Sequence, residues 1–129
     1  YDFIMEKPGQ FQERIVEGAG NVSGGQKQRL SIARALVRHV DIYIYDDSFS
    51  ALDFRTDAKL RKELKKEMTD EIVLIVAQRV STIMDADQII VLDEGKVVGK
   101  GTHKELLKTC GVYHEIAASQ LSEEELAYE

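Results

Sequence analysis

"NVSGGQKQRLSIARAL", residues 21–36, places two consecutive glycines at the start of a stretch that otherwise favours a helix. A glycine inside a helix costs about 1 kcal/mol relative to alanine. Ser23 is a good N-cap residue, and Gln26 follows it at the spacing of a capping box. A capped core helix explains these two residues but not Gly24 and Gly25. A bound anion explains the glycines, because without side chains a phosphate can approach the free N–H groups and the positive end of the helix dipole.

Length, charge and cysteine content limit the function of the chain. Its 129 residues suffice for one domain, and no apolar run approaches the roughly 18 residues of a membrane-spanning helix. A net charge of −6 would repel nucleic acid, so no nucleic-acid partner is expected. The lone Cys110 excludes an internal disulfide and is typical of a reducing compartment.

The hydrophobic pattern of the first two thirds predicts a parallel crossover. A helix over 24–39 has an apolar face made of Leu30, Ala33, Leu36, Val37 and Val40. It is followed by a short buried strand at 42–45, a charged helix at 55–68 and an apolar strand within 71–78. The last strand is continuously apolar, as expected when both faces are covered. On the charged helix, Asp57 and Arg61 are spaced to form an ion pair.

The last third predicts a short helix at 81–84, a hairpin and two further helices. The hairpin occupies 88–101 and turns tightly at Glu94 and Gly95. Thr102 caps one helix, a last helix covers 112–120, and the "SEEELAYE" end is typical of a solvated tail. The expected fold is α/β, with parallel core strands and an antiparallel hairpin at the edge.

A glycine-rich phosphate loop ending in Lys and Ser/Thr is absent from the sequence. An α/β sheet that binds nucleotides normally supplies one. The chain also begins at a tyrosine. We therefore expect it to be the C-terminal part of a larger protein.

Four motifs follow one another in a fixed order. They are Val22-Ser23-Gly24-Gly25-Gln26, an apolar strand ending in Asp46-Asp47, the stretch Ser50-Ala51-Leu52-Asp53, and Gln78 at the end of the next strand. Together they resemble the second half of an ABC-type ATPase domain, the engine of ABC transporters. The resemblance extends from about residue 3 to residue 120. "GTHKELL" at 101–107 and "GVYHEIAASQ" at 111–120 resemble exporter-type domains in particular.

The resemblance implies that the cofactors are ATP and Mg²⁺ and that two such domains pack head to tail. The signature residues that would bind ATP held on the partner's P-loop are Ser23, Gly24, Gly25 and Gln26. Asp53 would lie at the seam of the dimer. Asp46 occupies the Walker B aspartate position, where its carboxylate would contact Mg²⁺ through water.

Two catalytic positions depart from the family pattern. Asp47 stands where the family usually has a glutamate acting on the attacking water, and Gln78 stands where it usually has a histidine contacting the γ-phosphate. Aspartate is one methylene shorter, and glutamine cannot carry the charge of a protonated histidine. The signature is intact except for Val22, where leucine is commonest. This asymmetry resembles one subunit of a heterodimeric exporter, whose own ATP site is degenerate while the site it completes is competent.

The resemblance also implies how the chain is divided and where it works. The signature and helical part would cover about 1–40, the core strands with Walker B and the switch region about 41–110, and the C-terminal helix and acidic tail about 111–129. The partners would be a second ABC ATPase domain and the transmembrane domain of the exporter. The full protein would be an ATPase at the cytoplasmic face of the cell membrane, coupling dimerisation to export, and the isolated chain would be inactive.

Two other functions stay open at this point. One is a soluble ABC ATPase of DNA repair or chromosome structure, although no coiled-coil heptads occur here. The other is a non-hydrolysing module that binds ATP and serves as an allosteric dimerisation partner.

Overall fold

The computed structural model describes residues 1–122 and Leu126, so most of the predicted acidic tail lies outside the described residues. The chain divides into two compact units, Tyr1–Leu74 and Ile75–Glu129. The α-helices are Asp2–Met5 (α1), Gly24–Leu36 (α2), Phe54–Glu67 (α3), Val80–Ile83 (α4), His103–Thr109 (α5) and Gly111–Ala118 (α6). Short 3₁₀ turns cover Gln10–Gln12 and Glu17–Ala19. The strands are Ile42–Asp46 (β1), Ile72–Val76 (β2), Ile89–Asp93 (β3) and Lys96–Gly101 (β4).

The first unit contains the predicted strand–helix–strand crossover. Strands β1 and β2 form a parallel two-stranded sheet, and α3 connects them. Along β1 the burial alternates, so that Tyr43 and Tyr45 are buried while Ile42 and Ile44 are exposed. The two tyrosine rings stack with centroids 6.3 Å apart. The other buried apolar residues of this unit are Ile32, Phe49, Leu52 and Leu64.

The expectation that β2 is covered on both faces is wrong for this chain. Ile72 is 63% exposed and Leu74 is 51% exposed. The prediction of a buried β1 holds only for the face of Tyr43 and Tyr45, because Ile42 and Ile44 on the other face are exposed. A continuously apolar strand is expected to be buried on both faces by neighbouring elements. The described part of the chain provides only some of those elements.

Helix α2 ends earlier than the pattern predicts and buries a different face. It ends at Leu36 rather than near residue 39. Val37 and Val40 are therefore no longer on its face, and both are exposed. The buried residue of the helix is Ile32, which the predicted face did not include.

The second unit contains the predicted hairpin and two consecutive helices. Strands β3 and β4 pair antiparallel as a sheet of their own, with a bulge between Val91 and Leu92. Their turn places Glu94 and Gly95 at φ values of 45° and 76°, which confirms the predicted tight turn. The core of this unit consists of Val80, Ile89, Val91, Leu106, Cys110, Tyr113 and Ala117. No helix among the described residues is long and apolar enough to cross a membrane.

Candidate functional site

The N-terminus of α2 is closed by the predicted capping box. The Oγ of Ser23 accepts a hydrogen bond from the Gln26 N–H at 3.2 Å, and the Gln26 Oε1 accepts one from the Ser23 N–H at 2.9 Å. The Lys27 N–H makes the first intrahelical bond, to the Ser23 carbonyl at 2.8 Å. The capping box therefore does not use the N–H groups of Gly24 and Gly25. These two groups lie at the end of the helix that carries positive partial charge.

An open pocket of about 400 Å³ lies beside these two N–H groups. The start of α2, the loop after β1 and the start of α3 enclose it. Its lining residues are Ser23, Gly24, Gly25, Arg29, Ala51, Leu52, Asp53 and Thr56. The structure thus brings four of the predicted site residues together, namely the three N-terminal signature residues and Asp53. We refer to it as the α2–α3 pocket.

The α2–α3 pocket contains two charged side chains of opposite sign, Asp53 and Arg29. Asp53 is the N-cap of α3, and its Oδ1 accepts a hydrogen bond from the Thr56 N–H at 2.9 Å. Hydrogen bonds from the Thr56 side chain and from its N–H lower the pKa of Asp53, which stays ionised at neutral pH. Arg29 supplies a positive charge and lies 4.9 Å from the centroid of the Phe3 ring. With one charge of each sign, the attraction for a phosphate comes from the end of α2.

The two glycines differ in their surroundings. A Cβ on Gly25 would lie 3.0 Å from the carbonyl oxygen of Ala51 and 3.4 Å from a methyl group of Leu52. A Cβ on Gly24 would lie 3.4 Å from the Ala51 Cβ, which is an ordinary contact. Gly25 therefore has a structural role within its own chain, besides the phosphate role that the sequence suggested. Nothing local in the sequence signals this contact, because Ala51 is remote along the chain.

Asp46 and Asp47 stand at the carboxyl end of β1, and both are exposed. Asp47 has a φ of 49°, in the left-handed region that aspartate tolerates better than most residues. Two exposed carboxylates suit Mg²⁺, which is bound by one or two carboxylates and completed by water and phosphate oxygens. In residues 1–122 and Leu126 no group of three or more His, Cys, Asp or Glu side chains could hold a metal alone. The chemistry of the two carboxylates therefore fits a Mg²⁺ ion that keeps several of its waters.

Gln78 lies in the second unit, where another glutamine holds its backbone. The Nε2 of Gln120 donates a hydrogen bond to the Gln78 carbonyl at 2.9 Å, and its Oε1 accepts one from the Val80 N–H at 2.8 Å. One amide thus fixes the backbone on both sides of Arg79. Sequence reasoning did not assign Gln120 a role, because the contact spans 42 residues.

Comparison with known proteins gives a consistent set of relatives. A family model described as ABC transporter matches residues 2–50. An uncharacterized ABC transporter ATP-binding protein of Mycobacterium tuberculosis is 52% identical over 85% of this chain and 19% of its own length. ATP-binding cassette sub-family B member 5 of Mus musculus is 44% identical over 93% of the chain and 10% of its own length. An ATP-dependent lipid A-core flippase of Photobacterium profundum is 41% identical over 95% of the chain and 21% of its own length.

A solved structure is also similar over nearly the whole chain. It is a bacterial Atm1-family ABC exporter with ATP bound, which matches with a TM-score of 0.89 and 38% sequence identity. The match covers 95% of this chain and 22% of that one. The chain thus spans about a fifth or less of the length of the relatives it matches.

Proposed function

The chain belongs to the ATP-binding domains of ABC transporters, and from this we propose that it is the C-terminal part of such a domain in an exporter. The full protein hydrolyses ATP and couples the ATP-driven dimerisation of two such domains to export of a substrate. This proposal draws on the relatives, which include a protein named as a flippase and a structure titled as an exporter.

The observation that carries the proposal is the pair of N–H groups left over at Gly24 and Gly25, beside an open pocket. The sequence contains no P-loop, the element that supplies most phosphate contacts in such sites. The phosphates that meet these N–H groups belong, in this proposal, to a nucleotide bound by another domain. We place them on the P-loop of a second ABC ATPase domain, so that Ser23 and the two glycines close over the γ-phosphate from the opposite side.

By the resemblance, Asp46 and Asp47 would contribute to the chain's own ATP site, and Gln78 occupies the sequence position of the histidine that the family usually has there. Mg²⁺, when bound, neutralises charge on the phosphoryl group that is transferred. Asp46, at the end of β1, would hold this ion. The Asp47 carboxylate is about 1 Å too short to position the attacking water as a glutamate does, and a misplacement of that size costs about 100-fold in rate. The proposed protein is therefore the degenerate subunit of a heterodimer.

A transmembrane domain completes the proposed assembly, with this chain at the cytoplasmic face of the membrane. The exposed apolar side chains of β2, among them Ile72 and Leu74, support the presence of further protein around the sheet. A neighbouring segment that covered them would restore the environment that the apolar run predicts.

A second candidate is a non-hydrolysing module that binds ATP and acts as an allosteric partner. Asp47 and Gln78 favour it, because both changes weaken hydrolysis at the same site. It differs from the first proposal in whether the assembled dimer hydrolyses ATP at all.

The test is an ATPase assay on the full-length protein, purified together with its partner subunit after cell fractionation. The exporter proposal predicts Mg²⁺-dependent hydrolysis in the detergent-solubilised membrane fraction, abolished by EDTA and unaffected by duplex DNA. Recovery of the protein in the soluble fraction with DNA-stimulated activity would support a DNA-repair ATPase instead. Tight ATP binding without turnover would support the non-hydrolysing module.

A further inference from the structure

We propose that Gln28 is a positioning residue that ties the loop after β1 to helix α2, and so links the chain's own ATP site to the α2–α3 pocket. This inference rests on the proposed function for its consequences in catalysis. The link itself is a set of hydrogen bonds within the first unit.

The Gln28 amide bonds to three residues of the loop. Its Nε2 donates to the Asp47 carbonyl at 3.1 Å and to the Ser50 Oγ at 3.0 Å. Its Oε1 accepts from the Ala51 N–H at 2.9 Å. The Ser50 hydroxyl also lies 3.0 Å from the Asp47 carbonyl. The Gln28 side chain therefore hydrogen-bonds to the backbone at both ends of the turn, at the Asp47 carbonyl and at the Ala51 N–H.

A second contact fixes the same loop against the same helix. Gly25 packs so close to the Ala51 carbonyl that a Cβ would lie 3.0 Å from its oxygen, and the loop would have to shift by a few tenths of an ångström. Gln28 stands four residues after Gly24, one helical turn further along α2. The glycine contact and the amide bonds hold Ala51 from two sides, so that α2 and the loop are fixed to each other.

The position of the loop matters because its two ends serve different sites. Asp47 belongs to the proposed hydrolytic site of this chain. Ala51, Leu52 and Asp53 line the α2–α3 pocket, which faces the partner's nucleotide in the proposed dimer. A displacement of Asp47 when nucleotide binds would reach the pocket through Gln28.

Only an amide makes this set of bonds. It presents donors to Asp47 and Ser50 and an acceptor to Ala51. Glutamate has the same size and keeps the acceptor for Ala51, but it would place an oxygen against the Asp47 carbonyl. Alanine loses every bond. The pair Gln28→Glu and Gln28→Ala therefore separates the hydrogen bonds from simple filling of space.

The experiment compares the full-length wild-type protein, in complex with its partner subunit, with Gln28→Ala, Gln28→Glu and the control Gln12→Ala. Gln12 is an exposed glutamine of the same unit. Hydrogen–deuterium exchange of peptides covering 48–53 reports on the Ala51 N–H, and steady-state ATPase assays separate KM for ATP from kcat. For Gln28→Ala we expect about tenfold faster exchange and a KM about five- to tenfold higher, in line with loss of one or two hydrogen bonds.

Gln28→Glu is expected to raise KM as well, while Gln12→Ala matches the wild type in exchange and KM. Unchanged exchange at 48–53 in Gln28→Ala, or a Gln28→Glu protein with wild-type KM, would overturn the inference. Faster exchange with wild-type KM would overturn the link to the pocket and leave the proposed function intact. Loss of the proposed function would instead appear as a wild-type protein without Mg²⁺-dependent ATPase activity, and the exchange measurement would still decide whether Gln28 holds the loop.

Discussion

The carbonyl oxygen of Ala51 lies 3.0 Å from the position of a Cβ added to Gly25, a contact tight enough that the carbonyl would have to move by a few tenths of an ångström. Gly24, its neighbour, would make only an ordinary contact at 3.4 Å with the Ala51 Cβ. The two glycines of the signature are thus not equivalent in the fold. Any substitution of Gly25 disturbs the loop of its own chain as well as the proposed approach of a phosphate.

Alanine at each glycine tests this difference in stability. Gly24→Ala should stabilise α2 by up to about 1 kcal/mol, because alanine is the better helix former and restricts the unfolded chain. Gly25→Ala gains the same propensity but must displace the Ala51 carbonyl, and overpacking costs about 1–3 kcal/mol. In the full-length protein, the α2 amides should therefore be less protected against hydrogen exchange in Gly25→Ala than in Gly24→Ala. Equal protection in the two variants would contradict the contact.

Features set by short-range spacing could be predicted from the sequence. The capping box of Ser23 and Gln26, the turn at Glu94 and Gly95 and the α/β order of elements are of this kind. They depend on residues a few positions apart, where turn geometry alone fixes what can meet. The predicted pairing of Asp57 belongs with them, since its partner is one helical turn away.

Features that depend on tertiary packing could not be predicted. The bonds of Gln28 to Ala51 and of Gln120 to Gln78 join residues 23 and 42 positions apart. No local pattern distinguishes a glutamine that holds a distant loop from one that faces solvent. The prediction that both faces of β2 are buried failed for a related reason. An apolar run indicates that a strand needs to be buried, but it does not identify the element that buries it.

The ion pair on α3 should contribute strongly to stability. The Asp57 side chain is 1% exposed, and Arg61 reaches its two oxygens with Nε at 3.0 Å and Nη2 at 3.3 Å. Arg61→Met would leave a buried carboxylate without its guanidinium, which costs about 3 kcal/mol. The protection of α3 amides against hydrogen exchange should fall accordingly.

The exposed pair between Lys66 and Glu63 on the same helix provides the control. Lys66→Met makes the same kind of change at the surface, where ion pairs contribute little. We expect no measurable change in α3 protection. An Arg61→Met protein as stable as Lys66→Met would show that the buried pair is dispensable.

The capping box of α5 should make the second unit sensitive to acid. The Thr102 N–H and hydroxyl donate to the Glu105 Oε2 at 2.8 and 3.0 Å, which lowers the pKa of Glu105 below its ordinary value of 4.5. Since the folded pKa is depressed, the stabilisation is present above pH 4.5 and is lost as the pH falls through the folded pKa. Glu105→Gln keeps a capping-box residue that does not titrate. The Tm advantage of wild type over this variant should shrink as the pH falls below 4.5 through the folded pKa of Glu105, and a constant difference would refute the assignment.

Asp47 tests whether the chain's own site is degenerate. Removing a working catalytic base costs about 100- to 10,000-fold in rate. If turnover comes from the other site, Asp47→Asn should change the steady-state ATPase activity of the full transporter by less than about twofold. Asp47→Glu should restore part of the hydrolysis at this site, and Gln78 should limit the recovery. A fall of about 100-fold in Asp47→Asn, traced to this site by single-turnover assays, would show that Asp47 is a working base.

The central claim is that the N–H groups of Gly24 and Gly25 meet a phosphate held by the partner. Gly24→Asp tests it most directly, because the space beside Gly24 admits a Cβ and a carboxylate in the first turn of a helix stabilises the helix. The fold should therefore be kept, while the new negative charge repels the γ-phosphate. Gly24→Asn is the control of equal size without the charge.

The measurement is steady-state ATPase activity of the full-length protein with its partner subunit, wild type against the two variants. We expect Gly24→Asp to lose about 100-fold or more in activity with no fall in Tm, a loss typical of removing one preorganised contact to a reacting oxygen. Gly24→Asn should retain at least about tenfold more activity than Gly24→Asp, since it lacks the repulsion. A Gly24→Asp protein that turns over ATP at nearly the wild-type rate would contradict the account.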